Sequence, residues 1–390
     1  MNNLRVLTAG ESHGKAVVVI LEGMPAGVPV DPSRVNAELK KRQGGHGRGG
    51  RMKIEKDEIE ILSGIRFGKT LGSPIAFQIR NLDFVNWERK MAVEGAPPKD
   101  YKPITLARPG HADLAGVQKF GHDDIRNVIE RSSARETAAR TAAGAICKEL
   151  LRPFGVSWLS HVTNLGSVAV RRRDWTGRAS PPKFVRAVDS SPVRCADPSA
   201  SKKMVAAIDA ARRHGDTLGG LYEVVFFNVP PGLGSCMQWD RKLDARLAFG
   251  ILSIHAQKAV EIGDGFGGAV LPGSKVHDEI FYSRARGFYR RTNRHGGIEG
   301  GMSTGEPIVV RGAMKPISTL LKPLRSVDLK TRRATISRYE RSDVCALPAA
   351  AIVAEGVLAF ILADAFLEKF AGDHLGDVQS SVRQFLKRIR

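Results

Sequence analysis

Apolar residues gather in short β-branched blocks, Val17-Val18-Val19-Ile20 and Val224-Val225-Phe226-Phe227. Each block follows a glycine loop and ends in a proline-glycine turn, at Pro25-Ala26-Gly27 and Pro230-Pro231-Gly232. Blocks of this length between turn residues predict strands, and glycine turns in place of long crossovers predict antiparallel pairing. Residues 135–151 and 347–370 are longer, alanine-rich and helical in period, which predicts two long helices. Helices with so many small side chains can approach closely, so both are expected at the centre. The most apolar stretch, residues 349–366, is interrupted by Glu355 and Asp364. It reads as a core helix, because a membrane span needs about 18 uninterrupted apolar residues.

The pattern also occurs twice. Gly10-Glu11-Ser12-His13-Gly14 has a later counterpart in Gly215-Asp216-Thr217-Leu218-Gly219. Gly64, Gly68, Gly72, Pro74 and Ile75 match Gly297, Gly301, Gly305, Pro307 and Ile308 at one constant offset. Arg131-Ser132 precedes one alanine-rich helix, and Arg341-Ser342 precedes the other. Three matches in the same order predict an internal duplication. The expected fold is an α+β class layered β-α-β sandwich, with central helices between two antiparallel sheets and two pseudo-equivalent halves. We expect a single domain over residues 1–390, with halves near 1–160 and 205–390 and a basic insert at 168–203. The insert reads as a solvated surface excursion. His13 is replaced by Leu218 in the second copy, so this fold does not itself demand a histidine there.

Composition narrows the chemistry. With 42% hydrophobic and 26% charged residues, the chain of 390 residues is globular with a sizeable core. Four dispersed cysteines, Cys147, Cys195, Cys236 and Cys345, show neither metal-ligand nor redox spacing and read as structural thiols of a reducing compartment. The strand-like Val6-Leu7-Thr8 follows Met1 almost at once, without the look of a leader, and the expectation is cytoplasmic, with no membrane. A net charge of +20 admits nucleic acid or small anionic metabolites as partners. Nucleic-acid binders interleave aromatics with basic residues, whereas aromatics are 6% of this chain and its arginines at 42–51 sit among glycines. No nucleic-acid partner is therefore expected. The rival is an RNA or DNA binder using residues 42–51 and the basic insert, and the low aromatic content of the chain weighs against it.

Candidate chemistry falls on a few loops. His13 follows Ser12 in a glycine loop at a strand end, and His111 sits in a Pro-Gly turn between Arg108 and Asp113. Imidazoles can act as general acids when nearby anions hold the proton. In residues 42–51, glycines permit close backbone approach, and guanidiniums, those of Arg42 and Arg48 among them, can grip phosphate or carboxylate. Ser133 with Glu136 spells a capping box, whose free N–H groups beside Arg131 and Arg135 would make an anion site. Asp343 either caps the last long helix or accepts a proton in a mirrored site. Gly263, Gly265 and Gly268 satisfy a dinucleotide fingerprint, but the following Leu271-Pro272-Gly273 cannot begin the required helix. This weighs against an NAD(P)-dependent oxidoreductase of the Rossmann type, and no metal site is expected.

In order along nearly the whole chain, residues 10–14, 42–51, 108–114, 124–139, 215–220, 260–266, 296–305, 315–319 and 341–343 resemble the chorismate synthase family. The resemblance implies elimination of phosphate from 5-enolpyruvylshikimate 3-phosphate with reduced FMN, without net redox change. NADPH is a possible reductant, and a homotetramer is the usual assembly. It further implies catalytic roles for His13 (acid beside the leaving phosphate), His111 (proton holder near the flavin) and Asp343 (acid/base partner). Ser12 and Ser133 would support them by hydrogen bonding. Arg48, Arg135 and Arg341 would bind substrate, with Arg42 at the pocket edge. Flavin contacts would come from Arg42, Arg48, Arg131, Ser132, Ser133, His255, Ala256, Gly300, Lys315, Pro316, Ile317, Ser318, Thr319 and Arg341. His255 stands where relatives commonly carry a small or amide residue.

Overall fold

Two antiparallel sheets enclose a layer of helices, in a computed structural model that describes residues 4–340 and 342–389, apart from the Lys53 side chain. The first sheet joins β1 (Arg5–Ala9), β2 (Ala16–Glu22), β3 (Ile59–Ile61) and β4 (Ile75–Arg80) in the order β1-β2-β4-β3. Val17, Val19 and Leu21 pair with Ile79, Phe77 and Ile75, and all six side chains are buried against the helices. Val18 and Ile20 alternate to the outer face, as the two-residue period of a strand requires. The second sheet contains β5 (Ser157–Leu165), β6 (Val168–Ala169), β7 (Gly220–Phe227), β8 (Gln257–Ile262) and β9 (Ile308–Met314), in the order β8-β9-β7-β5-β6.

Without the short β6, the second sheet reads β5-β7-β9-β8, the order of the first. The duplication extends to backbone conformation. Gly64, Gly68 and Gly72 have φ of 81°, 72° and 84°, and their counterparts Gly297, Gly301 and Gly305 have 74°, 79° and 91°. Side chains rarely tolerate such values, so the same turns demanded glycine in both copies.

Between the sheets lie α1 (Pro32–Gln43), α4 (Thr137–Leu151), α5 (Leu243–Leu252) and α6 (Leu347–Lys369); α2 (Asp113–Phe120) and α3 (Arg126–Ser132) lead into α4. Asp31 caps α1 by accepting from the Ser33 amide, and Pro32 occupies a first-turn position where its missing N–H costs nothing. α6 is apolar on all sides and nearly all of it is buried, as befits a helix in the middle layer. It crosses α4 where Gly144 meets Gly356. A methyl on Gly144 would lie 2.1 Å from the Gly356 carbonyl oxygen, so glycine sets the interhelical distance. Beside this crossing, the buried Lys148 ammonium is held by Glu38 and Glu355.

The basic insert lies at the surface as expected, with Arg171, Arg172 and Arg173 exposed, but it is anchored there. Trp175 is 3% exposed and packs with Leu159, Val225, Phe227 and Val309 on the outer face of the second sheet. Its indole N–H donates to buried Glu223, which also pairs with His161 (3.0 Å) and Arg311 (2.7 Å). Arg173 lies over the Trp175 and Phe184 rings. A tryptophan and an amphipathic helix (Pro182–Ser190) thus anchor a segment whose charges suggested a solvated loop.

Gly144→Ala should destabilise the protein by about 3 kcal/mol, because backbone opposes the added methyl. Gly356→Ala, whose nearest contact is Thr141 Cα at 3.2 Å, should cost about 1 kcal/mol or less, since alanine is the better helix former. Denaturant midpoints of the two variants test this ranking.

Candidate functional site

Loops of both halves converge at one edge of the sandwich. Between β1 and β2, the Asn81 amide donates to the carbonyls of Glu11 (3.1 Å) and Gly14 (2.6 Å), clamping the glycine loop that carries His13. The Ser12 N–H donates to the Glu130 carbonyl (2.9 Å), and the Ser12 hydroxyl accepts from Arg51 (2.7 Å). His13 donates through its backbone N–H to Glu130 Oε2 (2.7 Å), and its Nδ1 lies 2.9 Å from Oε1. A carboxylate only accepts, so Nδ1 carries hydrogen and Nε2 is the nitrogen left for chemistry. The imidazole stacks on Trp87, with centroids 4.0 Å apart, and Arg51 lies 3.5 Å from Nε2. Burial raises the Glu130 carboxyl, but the His13 contacts and Arg126 outweigh it and hold the group below the ordinary glutamate value.

His111 repeats this arrangement on a different loop. The Pro109-Gly110 turn, with φ of 75° at Gly110, brings Arg108 and His111 around the fully buried Asp113. His111 Nδ1 is 2.5 Å from Asp113 Oδ1, while Arg108 donates to Asp113 from its backbone N–H (3.0 Å) and from Nε (2.9 Å). Burial again raises the carboxyl, but His111 and Arg108 overcome it and keep Asp113 far below its usual range.

Asp343 does not cap the last long helix, which begins at Leu347. Its carboxylate accepts from the Gly49 N–H (2.6 Å) and pairs with Arg48 (2.5 Å). Glycine at 49 eases this approach, because a Cβ there would stand 3.0 Å from the Ser342 carbonyl oxygen. Arg48 Nε is buried without a hydrogen-bond partner among the described residues.

Arg42 and Arg135 lie behind this wall. Arg42 pairs with Asp57 (3.1 Å) and donates to Thr137 and the Ala134 carbonyl; burial pushes its guanidinium down to about 10. Arg135 pairs with the other oxygen of Asp57 and donates to Asn81 (2.6 Å) and the Arg80 carbonyl (3.1 Å). These donors are spent on the protein. The expected capping box also fails to close: Ser133 Oγ accepts from the Arg135 amide (3.3 Å), but Glu136 turns to Thr8 and Arg140. A short 3-10 turn intervenes, and α4 begins at Thr137, whose first turn is buried and met by Arg42. A cation therefore occupies the expected anion site at this helix start.

Most of the remaining expected contacts gather beside His111. Lys315 Nζ donates to the Gly110 carbonyl, Thr319 Oγ1 accepts from Arg108 (3.4 Å), and the Ser342 hydroxyl donates to the Thr319 carbonyl (3.2 Å). Pro316 and Ile317 carry the segment past the second glycine loop, where Thr217 donates to the Ile317 carbonyl (2.7 Å), and Ser318 lies against Gly110. The Lys315 N–H donates to the carbonyl of Ala256, a residue held at φ 65°. Next to it, His255 Nδ1 is buried without a partner among the described residues. Burial lowers the affinity of His255 for a proton; Glu136 opposes this, and Arg140, Arg131 and His111 add to it. Arg131 donates to Thr8 and to the carbonyls of Thr8 and Gly10. Ser132 turns its hydroxyl back to the Val128 carbonyl (2.8 Å). Gly300 stands apart. It lies near Cys236 and the start of α5, whereas His255 follows the end of that ten-residue helix, about 15 Å away at 1.5 Å per residue. Arg341 lies outside the described residues. Lys315, Arg131, a buried imidazole nitrogen without a partner among the described residues and a strained Ala256 fit an anionic, hydrogen-bonding ring cofactor.

The sequence reading missed the carboxylate Glu130, the aromatic wall Trp87, and the links Arg126 and Glu340. Arg126 and Glu130 did carry a signal, the four-residue spacing that places an ion pair on one helix face. Trp87 and Glu340 come from distant loops without a pattern that joins them.

Comparisons with known proteins agree across almost the full length. The sequence model of a family described as chorismate synthase matches residues 4–367. A chorismate synthase of Moorella thermoacetica is 54% identical, with 99% of this chain and 100% of that one covered. One from Symbiobacterium thermophilum is 53% identical over 99% of both chains. A crystal structure of a chorismate synthase superposes with a TM-score of 0.80 at 41% identity, covering 99% of this chain and 98% of that one.

Asp57→Ala strands two buried guanidiniums and should cost about 3–5 kcal/mol of stability, measured by denaturant unfolding. Asp113 has a depressed folded-state pKa, so its stabilisation is complete above the unfolded value and fades as pH falls. The thermal-midpoint advantage of the wild type over Asp113→Asn should therefore be largest near neutrality and shrink below about pH 4.

Proposed function

The chain belongs to the chorismate synthase family of lyases, and on that premise we propose how its own residues carry the reaction. 5-Enolpyruvylshikimate 3-phosphate loses phosphate from C3 and a hydrogen from C6 in an anti-1,4-elimination that yields chorismate, the last shared precursor of the aromatic amino acids. The family uses a reduced flavin, which we take to be FMN; when bound it would supply reducing chemistry that is recovered within the cycle, so the reaction has no net redox change.

His13 serves the leaving phosphate. Glu130 fixes Nδ1–H, which leaves Nε2 to deliver a proton to a phosphate oxygen as the C3–O bond breaks. Arg51 lies beside Nε2, so a phosphate bound there would meet a guanidinium and the imidazole together. His111, held by Asp113 and Arg108, keeps a proton beside the flavin site. Asp343, oriented by Arg48 and the Gly49 N–H, accepts the proton that leaves C6. Arg48 and Arg341 bind the substrate anions. Arg42 and Arg135, with Asp57, hold the wall of the pocket in shape, and Ser12 and Ser133 fix its loops. Arg131, Ser132, His255, Ala256 and the segment Lys315–Thr319 form the flavin side.

The observation that carries this reading is the pair of imidazoles, each with Nδ1 on a buried carboxylate, on loops that share a border with Arg48 and Asp343. A homotetramer is part of the proposal. The outer face of the second sheet is covered by the insert, whereas the first sheet leaves Leu7 63% and Ile20 43% exposed, a face suited to another copy. Gly300 would then reach a flavin only across such a contact. We assign the enzyme to the cytoplasm, with no nucleic-acid partner.

Incubation with the enolpyruvyl substrate and chemically reduced FMN, without air, should release phosphate and chorismate in equal amounts; the absence of both ends the proposal. His13→Ala and His111→Ala should each lose about 100-fold or more in kcat while remaining folded. Light scattering should return the mass of four chains. Stopped-flow oxidation of NADPH with FMN present would assign NADPH as the reductant.

A further inference from the structure

Two histidine–carboxylate pairs on separate loops would titrate independently unless something joins them. Each carboxylate is held by an arginine: Arg126 Nη1 lies 3.2 Å from Glu130 Oε1, and Arg108 Nε lies 2.9 Å from Asp113 Oδ2. Both arginines extend to one further carboxylate. Arg126 Nη2 is 3.4 Å from Glu340 Oε1, and Arg108 Nη1 is 3.1 Å from Glu340 Oε2. A third arginine, Arg338, pairs with Glu340 Oε1 and lies 4.0 Å from Asp113. The connected path therefore runs His13, Glu130, Arg126, Glu340, Arg108, Asp113, His111, with every link an ion pair or hydrogen bond. None of the first subsection's motifs contains Glu340.

We propose that Glu340 is a positioning residue that bridges the two histidine sites through Arg108 and Arg126 and makes the protonation of His13 and His111 depend on one charge. The proposal rests on the reading of these histidines as the proton carriers. Three arginines (Arg108, Arg126, Arg338) face three carboxylates (Asp113, Glu130, Glu340), so the network is neutral before either imidazole is charged. Each protonated imidazole then adds one positive charge beside a bound anion, which is the state an acid next to phosphate requires. Without the Glu340 charge, the same three arginines face two carboxylates, and the surplus charge opposes both imidazolium ions. Other charged groups also face the histidines: Arg51 beside His13, and Lys315 and His255 near His111. The contacts of Glu340 among the described residues are with the three arginines.

The test is the isosteric change Glu340→Gln in the full-length chain. Carbethoxylation of the neutral imidazole, read peptide by peptide against pH, reports the pKa of His13 and of His111 without requiring turnover. Both values should fall together by about half a unit or more, and the pH profile of kcat should move to lower pH while KM stays nearly constant. Glu340→Asp, which keeps the charge, should restore most of the shift. A Glu340→Gln protein in which neither histidine moves, or only one, overturns the bridge. If that variant does not fold, Arg126→Gln carries the test with the opposite sign, raising His13 and, through Glu340, His111; an unmoved His111 overturns it. The readouts also separate two failures. Active His13→Ala and His111→Ala variants would remove the acid roles and leave the linked titration standing, whereas unlinked titration with inactive alanine variants would remove only the bridge.

Discussion

The contact of α4 with α6 at Gly144 and Gly356 is the constraint on which the other layers depend. A carbonyl oxygen occupies the place of any side chain at Gly144, so the two longest central helices meet backbone to backbone. Their separation sets the distance between the sheets packed on either side. It also sets the distance between the two sets of loops at the sheet ends. One set carries His13 and Arg48, and the other carries Lys315 and Asp343. Contacts of 2.5–2.6 Å between Arg48 or Gly49 and Asp343 tolerate little change in that span.

Charge in this protein divides into two kinds of work. Composition suggested that a chain of net charge +20 uses its arginines on anionic ligands, yet several of the arginines nearest the site are turned into the protein. Arg42 and Arg135 share the two oxygens of Asp57, and Arg108 is consumed by Asp113 and Glu340. Buried ion pairs of this kind return little net stability, because desolvation offsets much of the attraction. Their value here is geometric: a guanidinium with every donor engaged cannot collapse into a pocket built for phosphate and carboxylates. The positive potential remains while the walls are fixed.

How much could be read from residues alone follows from the range of the interactions concerned. The duplicated strand blocks, the glycine turns with matching positive φ and the two alanine-rich helices are local or periodic features, and each was legible. His13, His111 and Asp343 stand in motifs, so each could be singled out from the sequence as a candidate. The failures share a cause. Ser133 and Glu136 have the spacing of a capping box, but Glu136 is drawn to Thr8 and Arg140, and a cation from α1 meets the helix start. Residues 168–203 are mostly exposed, as charge count suggested, but their anchor was not legible: one tryptophan finds Glu223 on a distant strand. In both cases the deciding partner lies far away in sequence.

The duplication also explains how one site arises from two copies. The two glycine loops are equivalent in pattern, yet only the first carries a histidine. In the second, Leu218 takes that place, and its N–H donates to the Val344 carbonyl (3.0 Å), while the Val344 N–H donates to the Gly47 carbonyl (2.8 Å). The second loop therefore fixes the segment that holds Asp343, and through it the arginine–glycine loop of the first half. One copy presents His13, and the other holds Asp343. A histidine at 218 would sit at a staple between backbones, where a half-buried leucine now packs against the core. Divergence between the two loops thus left them with different contacts, a histidine on one and a backbone staple on the other.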